Sequence, residues 1–337
     1  MAERLRAAVI GTTGWGVTLA LLLARNGHEV RLLARTREEA EALRHSGRSP
    51  RLPDHPFPPG LAQTADPAEA FDGADLVTLA VPAQTVRSNL TPLARALPRD
   101  AVFVSATKGI ERNTALRISE VVREAVPSMA PEQYCALSGP NLKDEVAAGL
   151  PCAAVIASSS DEAARFAQRA FSSPSFRAYT SRDVIGVELA GALKNVIALG
   201  AGIADGLRQG DNAKAAFVTR GLAEITRLGV ACGADPLTFL GLAGMGDLVA
   251  TCYSRLSRNR RVGEALGQGR ALADVLADLR EVAEGVETTA GAWTLARRHG
   301  VDMPITEAMH RFLHEGLPLM DAVRWLLDRE AREEVRW

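Results

Sequence analysis

The chain has 337 residues, which is enough for two domains at about 100–200 residues per domain. Its hydrophobic content of 47% and charged content of 23% are those of an ordinary globular protein, and a formal net charge of −1 gives no overall attraction to nucleic acid or to an anionic membrane. The four cysteines (Cys135, Cys152, Cys232 and Cys252) are too far apart for a C-x-x-C metal motif or a disulfide framework, so we expect no metal site and a reducing, cytoplasmic setting without a signal peptide.

The first half of the chain alternates short apolar runs with helical patterns. The predicted strands are Leu5–Ile10, Glu29–Leu33, Leu76–Val81, Ala101–Ala106, Tyr134–Ser138 and Ala153–Ala157. Helices are predicted over Gly16–Asn26 and Arg37–Arg44, and Ser46–Gly60, with five prolines, is predicted to be a surface loop. This alternation is typical of parallel βαβ units in a doubly wound sheet.

The pattern changes near Asp183, because nearly every later periodic segment is helical. The predicted helices are Gly186–Leu207, one starting at Asp235-Pro236, Ser257–Leu266, Asp274–Val282 and Thr288–Arg298. We therefore predict an α/β domain over residues 1–183 and an all-α domain over residues 184–337.

A glycine-rich turn, GTTGWG, follows the first predicted strand and opens the first predicted helix. Gly11 permits a tight turn, Gly16 permits close packing of helix on strand, and the helix N-terminus offers N–H groups to a pyrophosphate. Thr13 takes the place of the middle glycine in the usual G-x-G-x-x-G motif, and Gly14 can restore the space. The turn predicts a Rossmann-like dinucleotide-binding domain, and the alternative is a glycine turn that binds nothing.

The end of the second predicted strand indicates which dinucleotide binds. An NAD-selective site usually places Asp or Glu there, whereas this chain has Ala34, Arg35, Thr36 and Arg37. Since a guanidinium can pair with a 2′-phosphate, we expect NADPH to bind at least as well as NADH, unless both arginines are simply solvated.

Lys194 stands in the middle of the apolar segment Gly186–Leu207. A buried lysine needs a partner, or its pKa falls toward neutral, where it can act as an acid or base. Because the charge interrupts the apolar run, we predict no membrane insertion. A stripe of small residues that would let another surface approach comprises Gly191, Asn195, Ala198 and Gly202. The alternative is a surface lysine whose stem lies along the helix.

Further polar residues stand where ligands are expected. Lys108 in SATKG and the run Ser138-Gly139-Pro140-Asn141 in LSGPN each follow a predicted strand, at the edge where open α/β sheets bind ligands. The segment SRLSRNRRVG contains Ser257, Arg258 and Asn259 at a helix start, which suits a phosphate dianion or is a basic solvated face. Asp247 can receive a substrate hydroxyl, hold Lys194, or cap a helix.

Taken together, these motifs resemble the bacterial NAD(P)-dependent glycerol-3-phosphate dehydrogenase family over essentially the whole chain. The matching stretches are the glycine turn with Trp15, ATKG at 106–109, SGP at 138–140, GALKNVIALGAGIADGL at 191–207, GMGDLVATC at 244–252, SRNRR at 257–261 and AEG at 283–285. Two stretches depart from the family pattern, namely Thr13-Gly14 and Asn141-Leu142-Lys143-Asp144 after SGP.

The resemblance implies reversible reduction of dihydroxyacetone phosphate to glycerol 3-phosphate with NAD(P)H, for phospholipid synthesis, by a homodimer that binds no nucleic acid. Lys194 would be the proton donor and acceptor. The implied substrate contacts are Lys108, Gly139, Asp247, Ser257, Arg258 and Asn259, with Asn141 replacing a threonine. The implied cofactor contacts, including the glycine turn, are Gly11, Gly14, Trp15, Gly16, Arg35, Lys108, Arg258, Val282 and Glu284.

Two alternatives remain open. The first is a related β-hydroxyacid-type dehydrogenase that acts on another phosphorylated or carboxylated substrate. The second is a catalytically silent dinucleotide sensor, which would have no need for Lys194, Asp247 and Arg258 together.

Overall fold

The computed structural model describes residues 4–279 and 283–330. The chain forms two compact units. The first unit contains the residues up to Lys108 together with Ile118–Val187, and the second contains Gly109–Arg117 together with the residues from Glu188 onward. The expected functional boundary at residues 183 and 184 stays a prediction.

The first unit is built on one large sheet and a small two-stranded one. Its strands are β1 (Arg6–Ile10), β2 (Glu29–Leu33), β3 (Arg48–Ser49), β4 (Leu52–Pro56), β5 (Leu61–Thr64), β6 (Leu76–Leu79), β7 (Val102–Ser105), β8 (Tyr134–Ser138), β9 (Cys152–Ala157) and β10 (Phe176–Ser181). Eight of them form a sheet in the order β10-β9-β8-β7-β6-β1-β2-β5, and β3 pairs with β4. The central strands are parallel, which confirms the predicted Rossmann-like, doubly wound sheet.

Three features of the sheet differ from the expectation. Strand β9 runs antiparallel to β8, and β10 is parallel to β9, so the sheet is mixed at one side. The segment Ser46–Gly60 is not only loop, because β3 and β4 form a hairpin within it. Its prolines are tolerated there because a two-stranded sheet has only edge strands, on which a missing N–H removes no central hydrogen bond. Strands β5 and β10 were not predicted.

Helices of the first unit flank this sheet. They are α1 (Gly14–Arg25), α2 (Arg37–Ser46), α3 (Pro67–Phe71), α4 (Val86–Leu90), α5 (Ile118–Ala125), α6 (Lys143–Ala147) and α7 (Asp161–Phe171). Helix α1 is apolar around most of its circumference, with Leu19, Leu21 and Leu23 fully buried. It therefore forms part of the hydrophobic core, and its N-terminus is held firmly at the end of β1.

The second unit is helical, as predicted. Its helices are α8 (Val184–Gly206, of which the residues from Glu188 belong to this unit), α9 (Gly210–Ala231), α10 (Pro236–Leu240), α11 (Asp247–Tyr253), α12 (Arg258–Gly267), α13 (Leu272–Ala277), α14 (Glu284–His299), α15 (Pro304–His314) and α16 (Leu319–Leu327). A π-helical turn, Leu242–Gly246, precedes α11. The last part of the predicted helix Asp274–Val282 lies outside the described residues.

Glu224 of α9 holds the start of α15. Its carboxylate accepts hydrogen bonds at 2.8 Å from the N–H groups of Ile305 and Thr306 and from the Thr306 hydroxyl. Burial raises the pKa of Glu224 to about 7, against the lowering effect of these hydrogen bonds. The contact satisfies N–H groups that a helix start leaves without intrahelical partners.

Helix α8 is the buried centre of the second unit. It is long and apolar enough to cross a membrane, because it contains an 18-residue window with a mean hydropathy of 1.6. However, 83% of that window is buried inside the protein. Its glycines contact α12 backbone to backbone. A Cβ added to Gly202 would lie 2.0 Å from the Arg260 carbonyl oxygen, and a Cβ added to Gly263 would lie 1.9 Å from the Leu199 carbonyl oxygen. The predicted small-residue stripe therefore admits α12.

Candidate active site

The glycine turn between β1 and α1 is tightly packed, and the Thr13 side chain fixes it to the protein. Gly11 has φ +113°, and a Cβ there would lie 2.7 Å from the Ala80 carbonyl oxygen. A Cβ on Gly16 would lie 2.1 Å from the Gly11 carbonyl oxygen, so both positions require glycine. Thr13 caps α1: its Oγ1 donates to the Ala80 carbonyl at 2.6 Å and accepts from the Gly16 N–H at 3.0 Å. The Thr13 side chain is thus engaged with the protein, and the helix proper starts at Gly14.

The surroundings of this turn fit a dinucleotide. The N-terminus of α1 carries no acidic residue in its first turn, so its partial positive charge is not neutralised locally. The Nε1 of Trp15 is buried and has no hydrogen-bond partner among the described residues. Because a buried indole N–H is usually satisfied, this donor indicates a ligand atom at the turn.

Arg35, the predicted 2′-phosphate contact, is exposed beyond the end of β2. The end of β2 itself contains no carboxylate, as the sequence indicates, but Glu39 reaches it from the first turn of α2. Glu39 accepts from the Thr12 hydroxyl at 2.6 Å and from the Arg35 N–H at 3.2 Å. Glu39 therefore links the glycine turn to the Arg35 segment. Sequence reasoning missed it, although Thr36-x-x-Glu39 is a helix-start pattern.

Lys108, Gly139 and Asn141 come together at the carboxyl ends of β7 and β8. The Lys108 Nζ donates to the Gly139 carbonyl at 3.0 Å. The Asn141 Nδ2 donates to the Ala153 carbonyl at 3.0 Å, while its Oδ1 is buried with no partner among the described residues. Gly139 has φ +146°, and a Cβ there would lie 2.9 Å from the Ala153 carbonyl oxygen. The cluster thus offers an ammonium and an amide oxygen for recognising a hydroxylated ligand.

Lys194 is buried and paired. It is 7% exposed, and its Nζ lies 2.7 Å from Asp247 Oδ1 and 2.6 Å from Thr251 Oγ1. Thr251 also donates to Asp247 Oδ1 at 3.2 Å. Asp247 supplies the counter-charge that a buried ammonium needs, so the surface-lysine alternative is wrong. Sequence reasoning missed Thr251, which lies four residues after Asp247 on the same face of α11.

Asn259 is held by the protein through both ends of its amide. Its Nδ2 donates to Asn195 Oδ1 at 2.9 Å, and its Oδ1 accepts from the Gly285 N–H at 3.0 Å. The side chain therefore joins α12 to α8 and to the first turn of α14, where Glu284 is the first residue. Its assignment as a substrate contact stays a prediction, and Val282 lies outside the described residues.

The start of α12 carries the predicted phosphate site. Ser257 caps the helix, because its Oγ accepts from the Arg260 N–H at 3.2 Å. Arg258 is half-buried in the first turn, whereas Arg260 is engaged with Asp205. No group of three or more His, Cys, Asp or Glu residues in the described ranges has the arrangement of a metal site.

Comparison with known proteins gives one family for both units. Residues 6–164 match the family model described as NAD-dependent glycerol-3-phosphate dehydrogenase N-terminus, and residues 183–324 match that of its C-terminus. Glycerol-3-phosphate dehydrogenase (NAD(P)+) of Streptomyces avermitilis is 49% identical over 337 residues, covering 100% of both chains. The protein of the same description from Geobacter sp. (strain M21) is 50% identical over 338 residues, covering 99% of both chains.

The structural comparison agrees. A crystal structure of glycerol-3-phosphate dehydrogenase from Coxiella burnetii superposes with a TM-score of 0.92 at 36% identity, covering 97% of this chain and 99% of that one.

Proposed function

Because this chain belongs to the NAD-dependent glycerol-3-phosphate dehydrogenase family, we propose that it reversibly reduces dihydroxyacetone phosphate to glycerol 3-phosphate with NAD(P)H. The observation that carries the proposal is the buried Lys194–Asp247–Thr251 cluster. It places an acid with a fixed counter-ion in the second unit, as reduction of a ketone requires.

The cluster supplies proton transfer and charge stabilisation. A ketone oxygen gains negative charge as its carbon is reduced, and a buried ammonium stabilises that charge and then delivers a proton from Nζ. Asp247 keeps the ammonium oriented and balances its charge, while Thr251 contacts both groups. In the reverse direction, neutral Lys194 takes the proton of the substrate hydroxyl. The bound dinucleotide supplies or accepts the hydride.

The first turn of α12 is the proposed phosphate site. Arg258 provides a guanidinium, and the helix start provides N–H groups directed at an anion. Binding energy from the phosphate then orients the remote carbonyl, so an unphosphorylated ketone should react poorly. Lys108, Gly139 and Asn141 are the further proposed substrate contacts, and Lys108→Ala should raise the KM for dihydroxyacetone phosphate.

One experiment tests this function. We would follow NADPH absorbance in the presence of dihydroxyacetone phosphate or dihydroxyacetone, with wild-type protein and with Lys194→Met. We expect rapid oxidation with the phosphorylated ketone only, and a rate lower by about 10²–10⁴ in the variant. Comparable kcat/KM for the two ketones would refute the phosphate role. Tight NADPH binding without oxidation of any ketone would favour the silent sensor, and activity only on a carboxylated ketone would favour the β-hydroxyacid-type alternative.

The glycine turn and Arg35 are the proposed dinucleotide site, with Gly11, Gly14, Trp15 and Gly16 near the pyrophosphate. Arg258, Lys108, Val282 and Glu284 stay further predicted contacts. If Arg35 pairs with the 2′-phosphate, Arg35→Ala should lower kcat/KM for NADPH about tenfold or more and leave the value for NADH nearly unchanged. Arg37→Ala is measured alongside, because Arg37 is the other arginine that the sequence offers for this contact. An unchanged NADPH/NADH ratio in Arg35→Ala would refute the assignment.

Family membership also supports a homodimer that binds no nucleic acid and acts in the cytoplasm in phospholipid synthesis. Sedimentation equilibrium of the purified chain tests the homodimer, because a monomer at micromolar concentration would contradict it.

A further inference from the structure

A largely buried charge cluster lies in the second unit, on the helices that carry the proposed catalytic and phosphate-binding residues. Asp205 Oδ2 accepts hydrogen bonds at 2.7 Å from both Lys214 Nζ and Arg260 Nε, and Arg260 Nη2 lies 2.6 Å from the same oxygen. Arg260 Nη1 is 3.3 Å from Glu264 Oε2, so two cations face two anions. Lys214 is 5% exposed, and its Nζ lies 4.5 Å from the ring centroid of Tyr253.

The cluster joins the three helices that carry the proposed site. Asp205 is near the end of α8, which carries Lys194, and Arg260 is in the first turn of α12, beside Arg258. Lys214 extends the connection to Tyr253, the last residue of α11. Along α8, Asp205 is eleven residues from Lys194, about 16 Å at 1.5 Å per residue, so it is too far to touch the reacting atoms.

The glycine contact between α8 and α12 explains why such a connection is needed. Because Gly202 and Gly263 bring the two backbones together without intervening side chains, the contact fixes the distance between the helices. A surface of glycines has few ridges that resist sliding or rotation of one helix on the other. Directional contacts must set the register, and the Arg260–Asp205 charged pair does this together with the Asn259–Asn195 hydrogen bond.

We propose that Asp205 is a positioning residue, which acts through Arg260 to hold the phosphate-binding first turn of α12 in register with Lys194. This inference rests on the proposed function. Its consequence is specific: loss of the Asp205 charge should weaken the use of the substrate phosphate while leaving the Lys194–Asp247 pair in place.

The test compares Asp205→Asn with Asp205→Glu and with Glu224→Gln. Asparagine keeps the shape and removes the charge, whereas glutamate restores the charge. Glu224→Gln is the matched control, because it removes another buried carboxylate, whose hydrogen bonds among the described residues all go to α15. For each variant we would measure kcat and KM with dihydroxyacetone phosphate, kcat/KM with dihydroxyacetone, the Kd for NADPH, and the folded fraction.

We expect Asp205→Asn to raise the KM for dihydroxyacetone phosphate about tenfold, with kcat/KM for dihydroxyacetone and the Kd for NADPH within about twofold of wild type. Asp205→Glu should recover at least part of the loss. Glu224→Gln should preserve the ratio of kcat/KM for dihydroxyacetone phosphate to kcat/KM for dihydroxyacetone. If the ratio is also preserved in Asp205→Asn at equal folded fraction, Asp205 is merely structural and the inference is wrong. If Asp205→Asn does not fold, Arg260→Lys serves in its place with the same two outcomes. A wild-type chain inactive on dihydroxyacetone phosphate would instead refute the proposed function.

Discussion

Replacement of Lys194 by methionine should lower both the activity and the free energy of unfolding. A second substitution, Asp247→Asn, should restore only the free energy of unfolding. Lys194 and Asp247 are 7% and 2% exposed, and their charged atoms are 2.7 Å apart. Lys194→Met leaves the Asp247 carboxylate buried without its counter-charge. The double variant Lys194→Met/Asp247→Asn has no buried charge at this position, while asparagine can still accept the hydrogen bond from Thr251.

The magnitude follows from these contacts. Removal of one partner from a buried ion pair costs about 3–5 kcal/mol. Since Asp247 keeps the hydrogen bond from Thr251, we expect the lower end, about 3 kcal/mol, which for a chain of 337 residues corresponds to a decrease in Tm of about 4 °C. The double variant should lie within about 1.5 kcal/mol of wild type, because methionine and asparagine nearly conserve volume. Turnover should fall by about 10²–10⁴ in both variants, because both lack the proton donor.

Urea unfolding followed by circular dichroism gives the stabilities, and NADPH oxidation with dihydroxyacetone phosphate gives the activities. The reasoning is refuted if the single variant is as stable as wild type, or if the double variant recovers turnover together with stability.

Three other predictions concern the core. Gly263→Ala should destabilise the protein by about 2 kcal/mol in urea unfolding, because the added Cβ would lie 1.9 Å from a backbone oxygen and overpack the α8–α12 contact. This cost exceeds the roughly 1 kcal/mol that alanine gains over glycine in helix propensity. The stability of wild type relative to Glu224→Gln should fall by about 3 kcal/mol as pH rises from 4.5 to 7, because the folded-state pKa of Glu224 is raised to about 7 and folded protein retains a proton that the unfolded chain releases. Burial raises the pKa of the Cys135 and Cys252 thiols to about 12, so neither should react with an aromatic disulfide reagent until the protein unfolds.

Each of these has a simple control or opposite result. Gly241→Ala places a Cβ 3.4 Å from its nearest neighbour and should leave stability nearly unchanged. A relative stability that rises with pH would contradict the assigned direction of the Glu224 pKa. Peptide mass spectrometry locates the labelled cysteines, and rapid labelling of Cys135 or Cys252 in native protein would contradict their burial.

The parts of the fold that the sequence predicted are those with a strong local pattern. Strands β2 and β8 begin and end at the predicted residues. In β2 (EVRLL) the apolar and charged residues alternate at first, and β8 (YCALS) is a largely apolar run that ends before Gly139-Pro140. The direction of β9 was not predictable, since the same alternation of side chains suits a parallel or an antiparallel neighbour. The start of α14 at Glu284, before the predicted Thr288, was hidden by Gly285, whose close approach to the Asn195 carbonyl oxygen is a tertiary contact.

The site was predictable where a residue type is costly to bury. Lys194 required a partner, and Asp247 was among the candidates. Thr251 was missed because threonine is common on helices, and its contact with Lys194 depends on how α8 packs against α11. Arg260 lies in the segment SRLSRNRRVG, which the sequence indicated as an anion site, but its side chain pairs with Asp205. Sequence spacing gives the helix on which a residue lies, whereas its partner depends on how helices pack.

The burial of α8 has a consequence for synthesis of the chain. Helices α9 to α16 follow α8 in sequence, so its apolar surface is complete before those neighbours have been translated. At roughly 5–20 residues per second, the remaining part of the chain takes on the order of 10 s to emerge. During that interval α8 has the length and hydropathy of a membrane-crossing segment. A lysine near the centre of such a segment opposes insertion by about 2.5–3.5 kcal/mol. Lys194 therefore also favours release of the nascent chain into water over its diversion to a translocation channel.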